Sequence, residues 1–551
     1  MARNITASKT LKIFGAVLPI LLILIFLLFP VVSVLVTSFY DGTKFSFEYI
    51  GEILSSKLYY GFFGFTLSQA LLSTLITLLI GIPIGYIFGR YDFPGRRITK
   101  AIFTVPFVLP TVLVGMGFLS LFGENGFLGS QFLSIVLAHS FFNIPLVVLY
   151  FSSYYRTFDQ NLIGAAKTLG SKGLHRFFRV FLPVFLPPIL SASMLTFIYC
   201  FMSYGIVTIL SSSFRTLEIQ IYADYFEREE SLGSALALIQ LLFILAIIIA
   251  YLIIMRIQTR RQTIGKTEVF PLEKLNLKRL MRSPKFVALF LVFIFGFIFE
   301  LAPIISIIVR SFWDPKTNQF LNNYALLFDS SLEPTTHIAM GKAITNTLLF
   351  AIGSSLIAGA LAIITVSIIG IKKRRKSTIS FEILSYLPII VSSVTLSIGI
   401  REIFYRFSLF NNFPWIFILI SQALLGYPFI IRALLNGINN LDQDLLDSAQ
   451  TLGAKWWFKF RKIYFPLLFR SFIAGFIFAL GLSLSEFTVV NFFSYDNLNL
   501  ATLTVVLSRL RARSEYIGAA NAVGVMLLFI SYLTFIILEL LNAREKTISK
   551  I

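Results

Sequence analysis

The sequence predicts an all-α polytopic membrane protein of about 12 transmembrane helices, arranged as two parallel six-helix repeats. Three observations predict it. Apolar residues make up 57% of the chain and charged residues only 13%, with a mean hydropathy of +0.83; a soluble domain carries roughly a quarter charged residues. The apolar residues fall in runs long enough to cross a bilayer. The second half also repeats landmarks of the first in the same order.

A span needs about 20 apolar residues. In chain order the candidates are residues 12–38, 65–89, 101–122, 131–152, 183–211, 233–256, 284–312, 343–370, 380–400, 414–436, 464–493 and 517–541. The first run follows a short basic start but is longer than the core of a secretion signal and ends without a small-residue cleavage site, so it is read as a span. Most of the 47 Lys and Arg residues lie in the segments that share the side of the N-terminus, including Arg96-Arg97 and Lys372-Lys373-Arg374-Arg375-Lys376. The bias toward the cytosolic side predicts both termini inside. It also accounts for the net charge of +20 by topology and attraction to anionic membrane lipid, so no nucleic-acid partner is expected. A lone Cys200 inside a span excludes an internal disulfide or a multi-Cys metal site.

The halves correspond well beyond hydropathy. Pro30 with Ser38-Phe39 matches Pro303 with Ser311-Phe312, Val105-Pro106 with Gly117 matches Leu387-Pro388 with Gly399, and Asn143-Ile144-Pro145 matches Gly426-Tyr427-Pro428. Six is an even number, so both halves enter the membrane in the same sense. The expected organisation is a first helix and outer loop (1–60), a membrane domain (61–256), a basic linker without a core (257–285), a seventh helix and outer loop (286–340) and a second membrane domain (341–541). Pro106, Pro110, Pro145, Pro388 and Pro428 fall within spans. Each frees a carbonyl, so those helices should be kinked and packed against neighbours.

The most specific repeat lies in two short polar segments between spans: Asp159-Gln160, Ala166-Lys167-Thr168-Leu169-Gly170 and Pro183 in the first half, and Asp442-Gln443, Ala449-Gln450-Thr451-Leu452-Gly453 and Pro466 in the second. Each predicts a helix, a Gly break and a second short helix. Leu162, Ala165, Ala166 and Leu169 share a helix face, as do Leu445, Ser448, Ala449 and Leu452. A narrow stripe of that kind suits insertion into a groove on a partner. Flanking Arg176-Phe177-Phe178-Arg179 and Lys455-Trp456-Trp457-Phe458-Lys459 would anchor the segments at the membrane surface.

These segments resemble the "EAA" loop of ABC importer permeases, in the form Gly164-Ala165-Ala166, Gly170, Leu182-Pro183 and Asp447-Ser448-Ala449, Gly453, Phe465-Pro466. Gly164 and Asp447 stand where the family has Glu. The fused arrangement resembles the ferric iron and thiamine subfamily. Leu137-Ala138-His139-Ser140-Phe141-Phe142-Asn143-Ile144-Pro145 and Thr216-Leu217-Glu218-Ile219-Gln220-Ile221-Tyr222 resemble its thiamine members more. The resemblance implies uptake of a small solute across a bacterial inner membrane, with each loop docked on one of two ABC ATP-binding subunits. It implies an extracytoplasmic solute-binding protein as a further partner, and no catalytic residue, metal or cofactor on this chain, ATP-Mg being used by the partners. The chain has no phosphate-cradling Gly-x-x-x-x-Gly-Lys-Ser/Thr motif of its own. Glu300, Glu486 and Ser203, the repeat counterpart of Glu486, are the pathway candidates, because ionisable groups within spans are functional by default. The alternative is a secondary transporter of the major facilitator type, which the Gly89–Arg97 loop resembles loosely.

Overall fold

A computed structural model describes residues 21–40, 44–122, 131–158, 161–212, 214–259, 271–275, 282–314, 319–369, 387–405, 412–439, 448–449, 451–454, 456–495 and 497–548. Asp159, Gln160, residues 370–386, residues 440–447, including Leu445 and Asp447, and Lys455 lie outside them.

The described chain is helical. The principal helices are α1 (Leu21–Thr37), α2 (Lys57–Arg90), α3 (Arg96–Thr104), α4 (Thr111–Phe122), α5 (Gln131–Thr157), α6 (Asn161–Thr168), α7 (Leu182–Phe201), α8 (Gly205–Leu210), α9 (Leu217–Ala223), α10 (Glu230–Thr259), α11 (Pro284–Phe312), α12 (Met340–Ile369), α13 (Ser393–Phe404), α14 (Pro414–Asn439), α15 (Phe465–Ser485), α16 (Thr488–Phe493), α17 (Leu503–Arg511) and α18 (Ile517–Ile548). Among the described residues nine helices are long and apolar enough to span a bilayer, and α1 and α4 are shorter apolar helices. Each of the twelve segments read from hydropathy contains at least one of these helices. Among the described residues four are interrupted where single helices were expected. The third breaks at Val105–Pro110 before α4, the ninth at Leu387–Ser392 before α13, the fifth at Met202–Tyr204 and the eleventh at Glu486-Phe487. Pro106, Pro110, Pro145, Pro388 and Pro428 are all buried, as backbone with a freed carbonyl requires in lipid.

The helices form two compact units, and their membership differs from a simple halving of the chain. One contains residues 1–50, 224–238 and 319–551; the other contains 51–223 and 239–318. Thus α1 packs on α13 in the unit made mainly of the second half, and α11 packs on α4 and α2 in the other. The contacts are repeat-related. A Cβ on Gly399 would collide with the Pro30 carbonyl, and one on Gly117 would lie 2.9 Å from the Pro303 side chain. Only glycine lets helix backbones come this close.

Within the second of these units, α2 meets α5 along Gly81, Gly85 and Gly89, where added Cβ atoms would lie 2.8 Å from Val147, 3.0 Å from Phe151 and 2.9 Å from Tyr155. The seam carries a polar knot. His139 Nδ1 and Gln69 Oε1 are 2.7 Å apart, Gln69 Nε2 donates to the Cys200 carbonyl at 2.9 Å, and Asn143 Nδ2 donates to the His139 carbonyl at 2.9 Å. In the other unit hydroxyl groups bridge the equivalent helices, Ser354 Oγ to Ser483 Oγ at 2.9 Å and Thr365 Oγ1 to the Tyr427 hydroxyl at 2.7 Å. Such bonds join helices where apolar faces alone cannot choose a partner. Both units fasten the short helix after the interrupted span alike: the Leu217 N–H donates to Thr66 Oγ1 (2.9 Å) and the Leu503 N–H to Thr347 Oγ1 (3.0 Å).

The linker was expected to lack a core of its own. Residues 271–275 are nevertheless tied to the C-terminal end of α2, with Glu273-Lys274 paired to Tyr91-Asp92, Glu273 3.2 Å from Arg90 and Leu275 packed with Tyr91 and Phe286.

Candidate functional site

The two repeated segments share one backbone design. In the first, α6 ends in a Schellman turn: the Ser171 N–H donates to the Ala166 carbonyl and the Gly170 N–H to the Lys167 carbonyl, each at 3.0 Å. Gly170 sits at φ +81°, the left-handed position that this turn assigns to glycine. In the second, the Ala454 N–H donates to the Ala449 carbonyl at 3.0 Å and Gly453 sits at φ +75°. The preceding threonines fold back identically, Thr168 Oγ1 to the Ala165 carbonyl and Thr451 Oγ1 to the Ser448 carbonyl, both at 2.8 Å.

After the turn each chain enters a short helix, a π turn and then the next span. The π turns occupy Phe177–Phe181 and Phe460–Tyr464, and Pro183 and Pro466 follow in the first turns of α7 and α15. A proline ring crowds the carbonyl four residues back, and a widened turn gives it room. In the first segment Phe181 stacks on Phe185 at 4.2 Å between centroids, and Phe185 is enclosed by Phe151, Tyr155 and Phe158. The segment is therefore rooted in the bundle while its turn projects from it.

What projects is apolar. Leu169 and Leu452, the residues just before the two glycines, are each 87% exposed, and Leu174 is 76% exposed. On α6, Leu162 and Ala165 are exposed and Ala166 is buried, so the expected stripe is presented along most of its length. Gly164 is exposed with nothing within 4 Å of an added Cβ. Ser448 is exposed and Ala449 half-buried. The flanking aromatics Phe178 and Phe458 are more than half exposed.

The pathway candidates occupy different settings. Ser203 and Glu486 lie in the repeat-related breaks after α7 and α15, and both are half-buried. Glu486 Oε1 accepts the Val489 N–H at 3.0 Å and so caps α16, while its backbone carbonyl accepts from Thr504 Oγ1 at 3.2 Å. Glu300 is fully enclosed in α11 and neither carboxylate oxygen has a hydrogen-bond partner among the described residues. One acidic residue that the sequence did not single out is as heavily engaged as any of these. Glu402 on α13 accepts from Ser33 and Thr37 of α1 and from Ser234 of α10. It lies just beyond the ninth expected span, 380–400, and so falls outside the ionisable groups counted within spans. Among the described residues no cluster of His, Cys, Asp or Glu could hold a metal ion.

A duplicated helical bundle with a matched pair of projecting apolar turns defines a membrane transport component built from two copies of one domain. Residues 81–264 and 363–547 each match the family described as "Binding-protein-dependent transport system inner membrane component", and the chain belongs to that family. It is similar to the "Ferric transport system permease protein FbpB" of Actinobacillus pleuropneumoniae, at 24% identity over 94% of this chain and 76% of that protein. It is also similar to the "Thiamine transport system permease protein ThiP" of Brucella abortus (strain 2308), at 24% identity over 79% of each. A third relative, the "Probable sulfate transport system permease protein cysT" of Nephroselmis olivacea, is 26% identical over 44% of this chain and 91% of its own length. The chain is thus a multi-pass permease of a bacterial inner membrane with two fused transport domains, and the major facilitator alternative is set aside.

Proposed function

We propose that this permease forms the translocation pathway of an ATP-driven importer for a small solute, thiamine first and ferric iron next. The reading is supported above all by the pair of Schellman-capped turns that present Leu169 and Leu452 at equal exposure. An apolar side chain held so far from its own protein by a conformation only glycine tolerates needs a partner surface to cover it. Each turn docks in a cleft of one of two ABC ATP-binding subunits, Gly164, Ala165 and Ala166 backing the first turn and Asp447, Ser448 and Ala449 the second. Closure of those subunits on ATP-Mg pushes the turns, and rooted aromatic bases such as Phe181 on Phe185 carry the displacement into α7 and α15. No nucleotide or metal binds this chain, and both termini lie in the cytoplasm. A solute-binding protein delivers cargo on the opposite face, where Glu486 and Ser203 border the pathway at the two helix breaks and Glu300 is the third polar candidate. Thiamine is favoured by the stretches Leu137–Pro145 and Thr216–Tyr222, and its cationic ring suits a carboxylate at the mouth.

Cys200 is buried and is the only native thiol, so cysteines introduced at Leu169→Cys and Leu452→Cys are uniquely addressable. Cross-linking in inside-out membrane vesicles that contain the cognate ABC ATP-binding subunit is expected to capture that subunit from both positions. Modification of either cysteine from the extracytoplasmic side, or failure of both to reach the ATPase, sinks the proposal. Thermal-shift screening of the cognate solute-binding protein with thiamine, its phosphates, ferric chelates and sulfate decides the cargo.

A further inference from the structure

The repeat sets the same two helices against each other in both units, α1 on α13 in one and α11 on α4 in the other, with Pro30 over Gly399 matched by Pro303 over Gly117. Alignment on these pairs puts Ser306 at the place of Ser33, Arg310 at the place of Thr37 and Ser120 at the place of Glu402. In the first unit those residues close the corner. The Glu402 carboxylate accepts from Ser33 Oγ at 2.9 Å, Thr37 Oγ1 at 2.8 Å and Ser234 Oγ at 2.7 Å. In the second unit a hydroxyl stands in for the carboxylate and a guanidinium for one hydroxyl. There a groove of about 560 Å³ opens between α4 and α11. Ser120, Ser306 and Arg310 line its polar part, and Phe297, Leu301 and Ile305 its apolar wall.

The charge at this corner is inverted between the units. Where one carries its own anion, the other presents two hydroxyls and a cation around an open space. Its position relative to a bilayer follows from α11, where Arg310 lies in the last turn and Trp313, 46% exposed, directly follows the helix. Tryptophan at the end of a span marks the headgroup level. Ile305 and Val309 are more than half exposed, so the groove is open along its side.

The geometry points to an anionic phospholipid seated in this groove, its phosphate held by Arg310, Ser120 and Ser306 where the other unit places the Glu402 carboxylate. One acyl chain lies along Phe297, Leu301 and Ile305. Guanidinium is the side chain best matched to phosphate, through paired N–H donors in a fixed plane. A soluble anion would leave the apolar wall unused, and a zwitterionic lipid would bring a second cation to Arg310. The inference requires only that α11 spans a bilayer, and it stands or falls apart from the transport reading.

Native mass spectrometry of the full chain in detergent, titrated with phosphatidylglycerol or with phosphatidylcholine of the same acyl chains, provides the test. Phosphatidylglycerol should bind about tenfold more tightly, a preference lost in Arg310→Gln, since one charge-assisted hydrogen bond accounts for roughly that factor. Ser120→Glu writes the repeat's own carboxylate into the groove beside Arg310; it should displace phosphatidylglycerol while the unfolding temperature is maintained, which separates lost lipid from lost fold. A diazirine-tailed phosphatidylglycerol should label residues 297–310. Equal binding of the two lipids, binding indifferent to both substitutions, displacement by millimolar inorganic phosphate, or labelling confined to other helices would each overturn the assignment.

Discussion

The two projecting turns and the two α1- and α11-type corners are both products of the same duplication, yet they have fared differently. The turns agree in backbone angle, in hydrogen bonding and in the exposure of one leucine. The corners agree in backbone packing, Pro30 on Gly399 and Pro303 on Gly117, and in the serine at 33 and 306, but differ where Thr37 and Glu402 give way to Arg310 and Ser120. Likeness at the turns is what two equivalent docking partners would demand of a surface. At the corners only the close helix approach and one serine are shared, so the other side chains are free to seal one with a carboxylate and leave the other open.

The largest expected effect tests the likeness. Gly170→Val or Gly453→Val forces a β-branched residue into the left-handed region at a cost of about 1–2 kcal/mol or more, with no neighbour in the way of the side chain. Solute uptake in proteoliposomes containing the ATPase and binding protein should fall to background for either variant while ATP is still hydrolysed. Normal uptake in one of them would show that the turns are alike in shape only. Next, Leu169→Asp and Leu452→Asp should leave the unfolding temperature of the permease nearly unchanged, because surface substitutions usually cost within about 0.5 kcal/mol. Each should sharply reduce co-purification of the ATPase, and a strong loss from one with none from the other would break the equivalence.

The corners supply the smaller effects. Glu402→Ala strands three hydroxyl donors and is expected to destabilise by about 2–3 kcal/mol, at roughly 1 kcal/mol per lost bond. Ser120→Ala at the matched position removes one hydroxyl from a buried site and should cost less, about 1 kcal/mol. Comparable shifts in thermal unfolding for the pair would contradict the described asymmetry. Ser33→Ala removes one donor and should cost about 1 kcal/mol. A similar loss is expected for Glu486→Ala through uncapping of α16, with Glu486→Gln milder because its amide oxygen can still accept the Val489 N–H. If the glutamine variant unfolds as easily as the alanine one, capping is not what the residue contributes to stability.

Much of the fold was legible because its signals are local. Apolar runs marked every span, and Gly170 and Gly453 announced turns because a left-handed cap demands glycine wherever it occurs. The helix breaks at Met202–Tyr204 and Glu486-Phe487 were not legible, since hydropathy is continuous across them. Glu402 was overlooked because its three partners come from residues 33, 37 and 234, remote in sequence. The polar knot of Gln69, His139 and Asn143 is likewise assembled from separate helices, and a lone buried histidine reads as mere packing until Gln69 is seen beside it.

By itself the sequence determined that this chain crosses a membrane many times, that its halves repeat, and that two glycine-capped turns stand between spans; each is a consequence of side-chain transfer into lipid or of backbone sterics within a few residues. Tertiary structure decided which unit receives α1 and which receives α11, and that one corner is sealed while its counterpart is open. Lipid solvates any apolar face equally well, so helix pairing is chosen by backbone approach at a few glycines and by hydrogen bonds between distant residues, and neither is written in hydropathy.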